Sequence, residues 1–332
     1  MSRILLVGAG AVGTRAARQL AESAGVTDVL VHDVDAERAQ MVSGAIERCA
    51  VVDIDPTADL PDDLDAVAVA STGGTELPVV EQAIASGIPV AMACDDADAL
   101  LQVIQLDSAA IDAGVTIAAG CGLAPGLADV MVRHAADELD LVEEVRVARA
   151  GVAGPECTRA AHRARRGPSR EWRDNSWEEL SRGSRDELVW FPDPVGSVEC
   201  RGVDGGAVLL ARAFPEASRA SYRISEPPAR LTSRMERRRF AAEQEWGSAR
   251  VEVWGRRGEA LRTTVYGVVE RSAVASGAVL ALTAVRLADR GADRIDHPGV
   301  HGLAVLVEPT GFLSELAERG VTIAVFEGTA GS

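Results

Sequence analysis

Short apolar runs alternate with longer, helically spaced segments through the first 125 residues. RILLVGAG, DVLVHDVD, AVVDID, DAVAVAST, IPVAMACDD and VTIAAGCG read as six strands, most of them closing on glycines or polar residues. Between them, AVGTRAARQLAESA, AERAQMVSGAIERC, ELPVVEQAIASG and DALLQVIQLDSAAIDAG read as helices. In the first of these, Val12, Ala16, Ala17 and Leu20 fall near one face. Buried strands joined by helices pair in parallel, so the fold class predicted is α/β, a Rossmann doubly wound parallel sheet with a second α+β domain.

The rhythm changes at residue 126. PGLADVMVRHAADELD predicts a helix with Pro125 at or near its first position, where a missing N–H costs nothing. EEVRVARAGVAG, SARVEVWGRR and ALRTTVYGVVE alternate as strands of an α+β domain over residues 126–270. Residues 157–200 read as an arginine-rich loop region holding Trp172, Trp177 and Trp190, which suit a pocket wall, a core or a dimer interface. Residues 271–332 form a helix and a tail expected to return to the first domain, residues 1–125.

Composition narrows the function. The chain has 332 residues, 47% hydrophobic and 25% charged, enough for two domains. A net charge of -16 opposes nucleic acid and anionic membranes as partners. All basic residues are arginine, which excludes Schiff-base, P-loop and general-base lysines. The five cysteines form no C-x-x-C pair and suit reduced thiols, and MSRILLVGAG enters a strand at once without a signal-peptide layout. The apolar segment 272–289 falls short of a membrane span, so a cytoplasmic protein is expected. His297 and His301 have H-x-x-x-H spacing, but Pro298 and Gly299 break the helix that would align them, and no metal site is expected.

Gly8-Ala9-Gly10-Ala11-Val12-Gly13 joins a strand to a helix, the context a dinucleotide-binding G-x-G-x-x-G requires. Gly8 permits the turn, Gly10 lets backbone approach a pyrophosphate, Gly13 allows close helix packing, and the helix N-terminus attracts the phosphates. Asp33 closes the second strand, where a carboxylate accepts ribose hydroxyls and repels a 2′-phosphate, favouring NAD. Arg38 leaves NADP open. Ligands of such sheets lie beyond the carboxyl ends of strands, which adds Asp53 and Ile54, Ser71, Thr72 and Gly73, Cys94, and Gly120 and Cys121 to the cofactor candidates.

The chain resembles the saccharopine dehydrogenase-like NAD(P)-dependent oxidoreductases in GAGAVG at 8–13, STGGTELPVVEQAIASGIPV at 71–90 and GCGLAPGLADVMVRHAADELD at 120–140, while GPECTRAAHRARRG and WFPDPVG look like a bacterial subgroup of these proteins. The family's G-x-x-PG loop falls on Gly122, Pro125 and Gly126, and the likeness covers about the first 150 residues. The resemblance implies hydride transfer at a C–N bond of a carboxylate-bearing, amino-acid-like substrate. A neighbouring group, of glucose-fructose oxidoreductase type, usually carries a lysine in an E-K-P motif after strand five. This chain reads ACDD there, which disfavours that group.

Hydride transfer needs a positioned carbon and one managed proton. Asp95, at the mouth of strand five, and His162, in CTRAAHRARR, are the catalytic candidates; Asp95 equally suits a cap for the helix near Ala97. Arg149, Arg159 and Arg173 are the carboxylate-binding candidates, and each also suits an ordinary ion pair. Cys94, Cys121 and Cys157 read as buried thiols near the cleft. A homodimer is expected, since second-domain strands often pair across a two-fold axis. Two other readings keep the fold: an enoyl reductase, favoured by an apolar pocket, and a non-catalytic NAD-sensing or partner-binding protein, which needs no acid or base in the cleft.

Overall fold

The computed structural model describes residues 1–71, 74–181, 183–227 and 246–325. The first six strands are β1 (Ser2–Val7), β2 (Val26–His32), β3 (Cys49–Val51), β4 (Ala66–Val69), β5 (Val90–Met92) and β6 (Thr116–Ala119). They alternate with helices α1 (Ala11–Glu22), α2 (Ala36–Ala45), α3 (Glu76–Ala85), α4 (Ala97–Ile104) and α5 (Asp107–Asp112). Every residue of β4, β5 and β6 is buried, so both sheet faces are covered, the condition under which parallel pairing is found. The predicted helix over DALLQVIQLDSAAIDAG is in fact two, α4 and α5. The Asp107 carboxylate at the start of α5 accepts from the Val300 N–H at 2.7 Å, which ties that turn to a distant strand.

The chain continues through α6 (Leu127–Ala136), β7 (Leu141–Ala150), α7 (Pro155–Arg166), β8 (Arg170–Arg173), β9 (Ser176–Glu179), β10 (Asp186–Trp190), β11 (Ser197–Gly202), α8 (Ala207–Ala213), β12 (Arg219–Ser225), β13 (Trp246–Arg257) and β14 (Ala260–Arg271). It ends with α9 (Ser272–Ala288), β15 (Gly299–Gly302), α10 (Leu303–Leu306), α11 (Pro309–Glu318) and β16 (Ile323–Val325). The first sheet has the order β15-β6-β5-β4-β1-β2-β3 and is parallel throughout. Connections reverse direction between β1 and β4, and the crevice beyond that pair is where such sheets bind ligands. The second sheet runs β10-β11-β12-β7-β13-β14-β16, with β8 and β9 attached through β12. In it, β7 pairs parallel with β12 and antiparallel with β13.

Three elements depart from the sequence reading. The arginine-rich segment taken for loop contains α7, whose buried positions are Thr158, Ala160, Ala161 and Arg165. Arg165 is tolerated inside because its guanidinium donates to the Ile224 carbonyl at 2.9 Å and pairs with Glu226 at 2.7 Å. The H-x-x-x-H segment supplies β15, a seventh parallel strand. The tail divides: α9 lies on α1, and Arg319 just past α11 donates to Gln19 of α1 at 3.2 Å, while β16 joins the second sheet beside β14. Gly277 sets the α9–α1 distance, because a Cβ there would stand 2.5 Å from Arg15 Cβ.

Candidate active site

The turn after β1 explains its glycines. Gly8 has φ +101°, and a Cβ on it would meet Ser71 N at 2.7 Å; a Cβ on Gly13 would stand 1.8 Å from the Gly8 carbonyl oxygen. Gly10 is different: a Cβ there meets nothing within 4 Å, so its backbone faces open space. α1 begins at Ala11 with no side-chain cap and no acidic residue in its first turn. Its first N–H groups and the positive end of its dipole are therefore left for an external anion.

Asp33, just past β2, is nearly buried, and its carboxylate accepts from Ala9 N–H at 2.6 Å and Asp35 N–H at 2.8 Å. These bonds hold the glycine turn against the strand end. A carboxylate has about four lone-pair sites, so acceptor capacity remains for hydroxyls. Arg38 stands 3.6 Å from Asp33 and 3.2 Å from Asp35. Past β4, the Ser71 and Thr75 hydroxyls are buried without a partner, while Glu76 accepts from Gly74 N–H at 2.8 Å. Asp53 is exposed and Ile54 half-buried past β3. Thr72 and Gly73 lie outside the described residues. An uncapped helix start, open space at Gly10, an acceptor at Asp33 and an orphaned Ser71 hydroxyl together fit a dinucleotide.

The loop GCGLAPG at 120–126 folds onto itself. Gly122 N–H donates to the Pro125 carbonyl and Leu127 N–H to the Gly122 carbonyl, both at 2.9 Å. Gly126 has φ +127°, and a Cβ on it would stand 2.2 Å from the Gly122 carbonyl oxygen, so only glycine closes this turn. Pro125 therefore precedes the helix cap and does not begin the helix, which starts at Leu127. Asp129 in the first turn accepts from Gly126 N–H at 3.2 Å while its other oxygen meets no partner. Burial pushes this carboxyl up to about 7.

A cleft open to solvent lies between the two sheets. Val12 lines it from the glycine turn, Cys94 and Asp95 from the end of β5, Gly122 to Pro125 from the loop, Arg149 from β7, Ala153 and Cys157 near α7, and Ser272 and Ser276 from α9. Asp95 and Arg149 meet across it at 2.8 Å, their side chains 16% and 9% exposed. Burial works against the Arg149 charge, and the adjoining Asp95 carboxylate outweighs it, holding the guanidinium above its ordinary range. Behind Arg149 lies the buried Tyr222 ring, whose hydroxyl finds no partner at hydrogen-bonding geometry. A Cβ on Gly206 would stand 2.6 Å from that ring, so the glycine makes room for it.

The structure brings together Val12, Cys94, Asp95 and Arg149 from the sequence candidates. The other carboxylate candidates lie elsewhere: Arg159 pairs with Glu156 of its own helix, and Arg173 with Glu171 of its own strand. Their charges are satisfied three and two residues away. His162 is half-buried on α7 and is not on the cleft wall. The cap near Ala97 is Asp96, which accepts from the Asp98 and Ala99 N–H groups, leaving Asp95 to face the cleft. Cys121 is fully buried, with Sγ against the Ala118 carbonyl, and its backbone neighbour Gly122 is the wall residue instead. Burial pushes the Cys121 and Cys157 thiols up to about 12 and Cys94 well above its usual value. Among the described residues, no tryptophan lines the cleft; Trp172 and Trp177 pack edge to face on the β8–β9 hairpin. Sequence reasoning missed Ser272 and Ser276, whose only signal is their four-residue spacing at the start of an apolar helix.

Among the described residues, no group of three or more His, Cys, Asp or Glu side chains could hold a metal ion, and no helix is long and apolar enough to cross a membrane.

Residues 2–105 match the model of an oxidoreductase family with an NAD-binding Rossmann fold, GFO_IDH_MocA. This corrects one expectation: lacking the E-K-P lysine does not remove the first domain from likeness to the glucose-fructose oxidoreductase group. Inositol 2-dehydrogenase 4 of Saccharopolyspora erythraea is 37% identical over 115 residues, 32% of this chain and 33% of that protein. The match thus spans about a third of that relative's length. Among solved structures, saccharopine dehydrogenase (L-Glu forming) from Saccharomyces cerevisiae superposes with a TM-score of 0.71, covering 98% of this chain and 99% of that one at 15% identity. Amine dehydrogenase from Mycobacterium smegmatis gives 0.56, covering 92% and 96% at 12% identity. At these identities the structural likeness is one of fold.

Proposed function

From a first domain that is an NAD-binding Rossmann fold of oxidoreductase type, we infer that this chain is an NAD-dependent dehydrogenase or reductase acting at a C–N bond of a carboxylate-bearing, amino-acid-like substrate. One observation carries the reading: Asp95 at the end of β5 and Arg149 on β7 meet at 2.8 Å on the wall of a cleft that begins at the dinucleotide turn.

The bound dinucleotide supplies or takes the hydride; the protein orients the other partner and manages its charge. Arg149 offers a planar guanidinium to a carboxylate, which exchanges the Asp95 contact for a substrate one. Asp95 is then free to face a protonated imine or amine nitrogen. Its negative charge favours the iminium form, whose carbon accepts hydride more readily than a neutral imine carbon does. In the reverse direction the same carboxylate accepts an amine proton. The apolar wall of Ala93, Leu123, Ala124, Pro125 and Ala153 keeps water from the reacting carbon. The reading also takes in a homodimer and a cytoplasmic setting. The exposed Leu188 and Trp190 on edge strand β10 support the first, and five cysteines without a disulfide support the second.

The apolar wall favours one second reading, hydride transfer to an enoyl carbon, in which the Asp95–Arg149 pair stays closed. Asp95 in the cleft weighs against a purely sensing protein. The test is loss of dihydronicotinamide absorbance with 2-oxo acids plus ammonia or a primary amine, with 2-oxo acids alone, and with enoyl thioesters. Turnover that needs the amine supports the C–N reading. Turnover of enoyl thioesters alone overturns it.

A further inference from the structure

We propose that Tyr222 is a positioning residue for Arg149: its phenol oxygen receives the Arg149 Nε–H when the guanidinium leaves Asp95 for a ligand carboxylate. The inference rests on the carboxylate reading of Arg149 given above and deepens it, by naming what holds the guanidinium in its ligand-binding orientation.

Sheet register places the two side chains together. β12 pairs parallel with β7, with Tyr222 opposite Val147 and Ile224 opposite Arg149. Tyr222 and Arg149 are therefore diagonal neighbours on one sheet face, a separation that long side chains span. Both are interior, Tyr222 2% exposed and Arg149 8%. The main chain before α8 packs against the phenol: a Cβ on Gly206 would stand 2.6 Å from the ring and one on Gly205 3.9 Å. The ring has little room to move away from the guanidinium.

Two complementary polar atoms are left over at this place. Arg149 Nη1 reaches Asp95, whereas Arg149 Nε is buried with no partner, and the Tyr222 hydroxyl is buried with none. The two groups still act on each other electrostatically. A buried N–H and a buried hydroxyl left unpaired are each unfavourable, and pairing them removes both costs. Burial holds the phenol well above its ordinary range, so its oxygen stays neutral and keeps lone pairs for an N–H. While Asp95 holds Nη1, the Nε bond is not made. A ligand carboxylate that takes over from Asp95 lets the guanidinium turn until Nε meets the phenol, which fixes its plane and leaves the Nη1–Nη2 edge for two-point contact with the acid.

The chain holds two tyrosines, Tyr222 and Tyr266, so labelling with meta-fluorotyrosine gives two fluorine NMR resonances. The full chain saturated with NADH is titrated with propanoate and with pyruvate. The Tyr222 resonance, identified by its loss in Tyr222→Phe, is expected to shift as the acid binds while that of Tyr266 stays. Arg149→Lys, which keeps the charge and lacks the Nε–H, is expected to abolish the shift. In unlabelled protein Tyr222→Phe is expected to weaken acid binding ~10-fold by calorimetry, the size of one hydrogen bond to a charged group. NADH affinity and Tm are expected to hold, because the hydroxyl removed is unpaired before the acid binds. A purely structural tyrosine gives the reverse, a lowered Tm with unaltered acid affinity, and that result overturns the proposal. A Tyr222 resonance that stays in place at saturating acid also overturns it. Acid binding lost in Arg149→Gln but indifferent to Tyr222→Phe removes the role of Tyr222 alone. If neither acid binds wild type, the Arg149 reading falls as well.

Discussion

Asp129 offers a perturbation whose size follows from the structure. It is 1% exposed, accepts one backbone N–H and leaves its second oxygen unpartnered, and burial raises its carboxyl from 3.8 to about 7. Between those values the folded protein holds a proton that the unfolded chain has released, so stability falls as pH rises through the interval. The loss is complete above the folded value. A shift of about three pKa units corresponds to ~4 kcal/mol at ~1.36 kcal/mol per unit. For a chain of this length the unfolding entropy is ~0.7 kcal/mol/K, so the effect is worth ~6 °C in Tm. Asp129→Asn keeps a carbonyl oxygen for Gly126 N–H and removes the titration. Differential scanning calorimetry of both proteins from about pH 4.5 to about pH 8 is expected to show the variant gaining ~6 °C on wild type across the range. A constant difference between the two curves would refute the assignment of this group as a buried, raised acid.

Three further outcomes follow from the same geometry. Gly13→Ala forces a Cβ against the Gly8 carbonyl oxygen and is expected to weaken NADH binding ~100-fold by fluorescence titration; unchanged affinity would remove the turn from the cofactor site. Asp33→Asn retains an acceptor for Ala9 N–H, removes the charge that repels a 2′-phosphate and leaves Arg38 nearby. The preference for NADH over NADPH, measured by paired titrations, is expected to fall ~10-fold, and an unmoved ratio would contradict the ribose assignment. Burial raises all five thiols, to about 11 for Cys49, about 12 for Cys121, Cys157 and Cys200, and well above the usual value for Cys94. Iodoacetamide at about pH 8 is therefore expected to label the folded protein far more slowly than the denatured chain, by mass spectrometry; rapid labelling at Cys94 or Cys157 would show a more open cleft.

The parts of the site legible in the sequence are those that local spacing dictates. Gly8, Gly10 and Gly13 identify the turn because their separations are imposed by a strand, a tight bend and a helix start within six residues. Asp33 follows from the length of one helix and one strand. Arg149 was reachable because EEVRVARA alternates, which places Val145, Val147 and Arg149 on one sheet face. Contacts set by distant chain are another matter. β15 pairs with β6 across more than 180 residues, and nothing within VHG announces a parallel partner. α7 was missed because its buried positions are mostly alanine, threonine and one ion-paired arginine, too weakly apolar for a helical stripe. Arg159 and Arg173 resembled ligand arginines because sequence shows the charge and not the neighbouring glutamates' geometry.

The most direct measurement follows the transferred atom. NADH carrying deuterium at C4 is incubated with the protein, a panel of 2-oxo acids and ammonia, and the products are read by mass spectrometry. The account predicts deuterium on the carbon bearing the new amine, lost in Asp95→Asn and Arg149→Gln. Deuterium appearing in an enoyl or carbonyl product without an amine, or in equal yield from both variants, would contradict it.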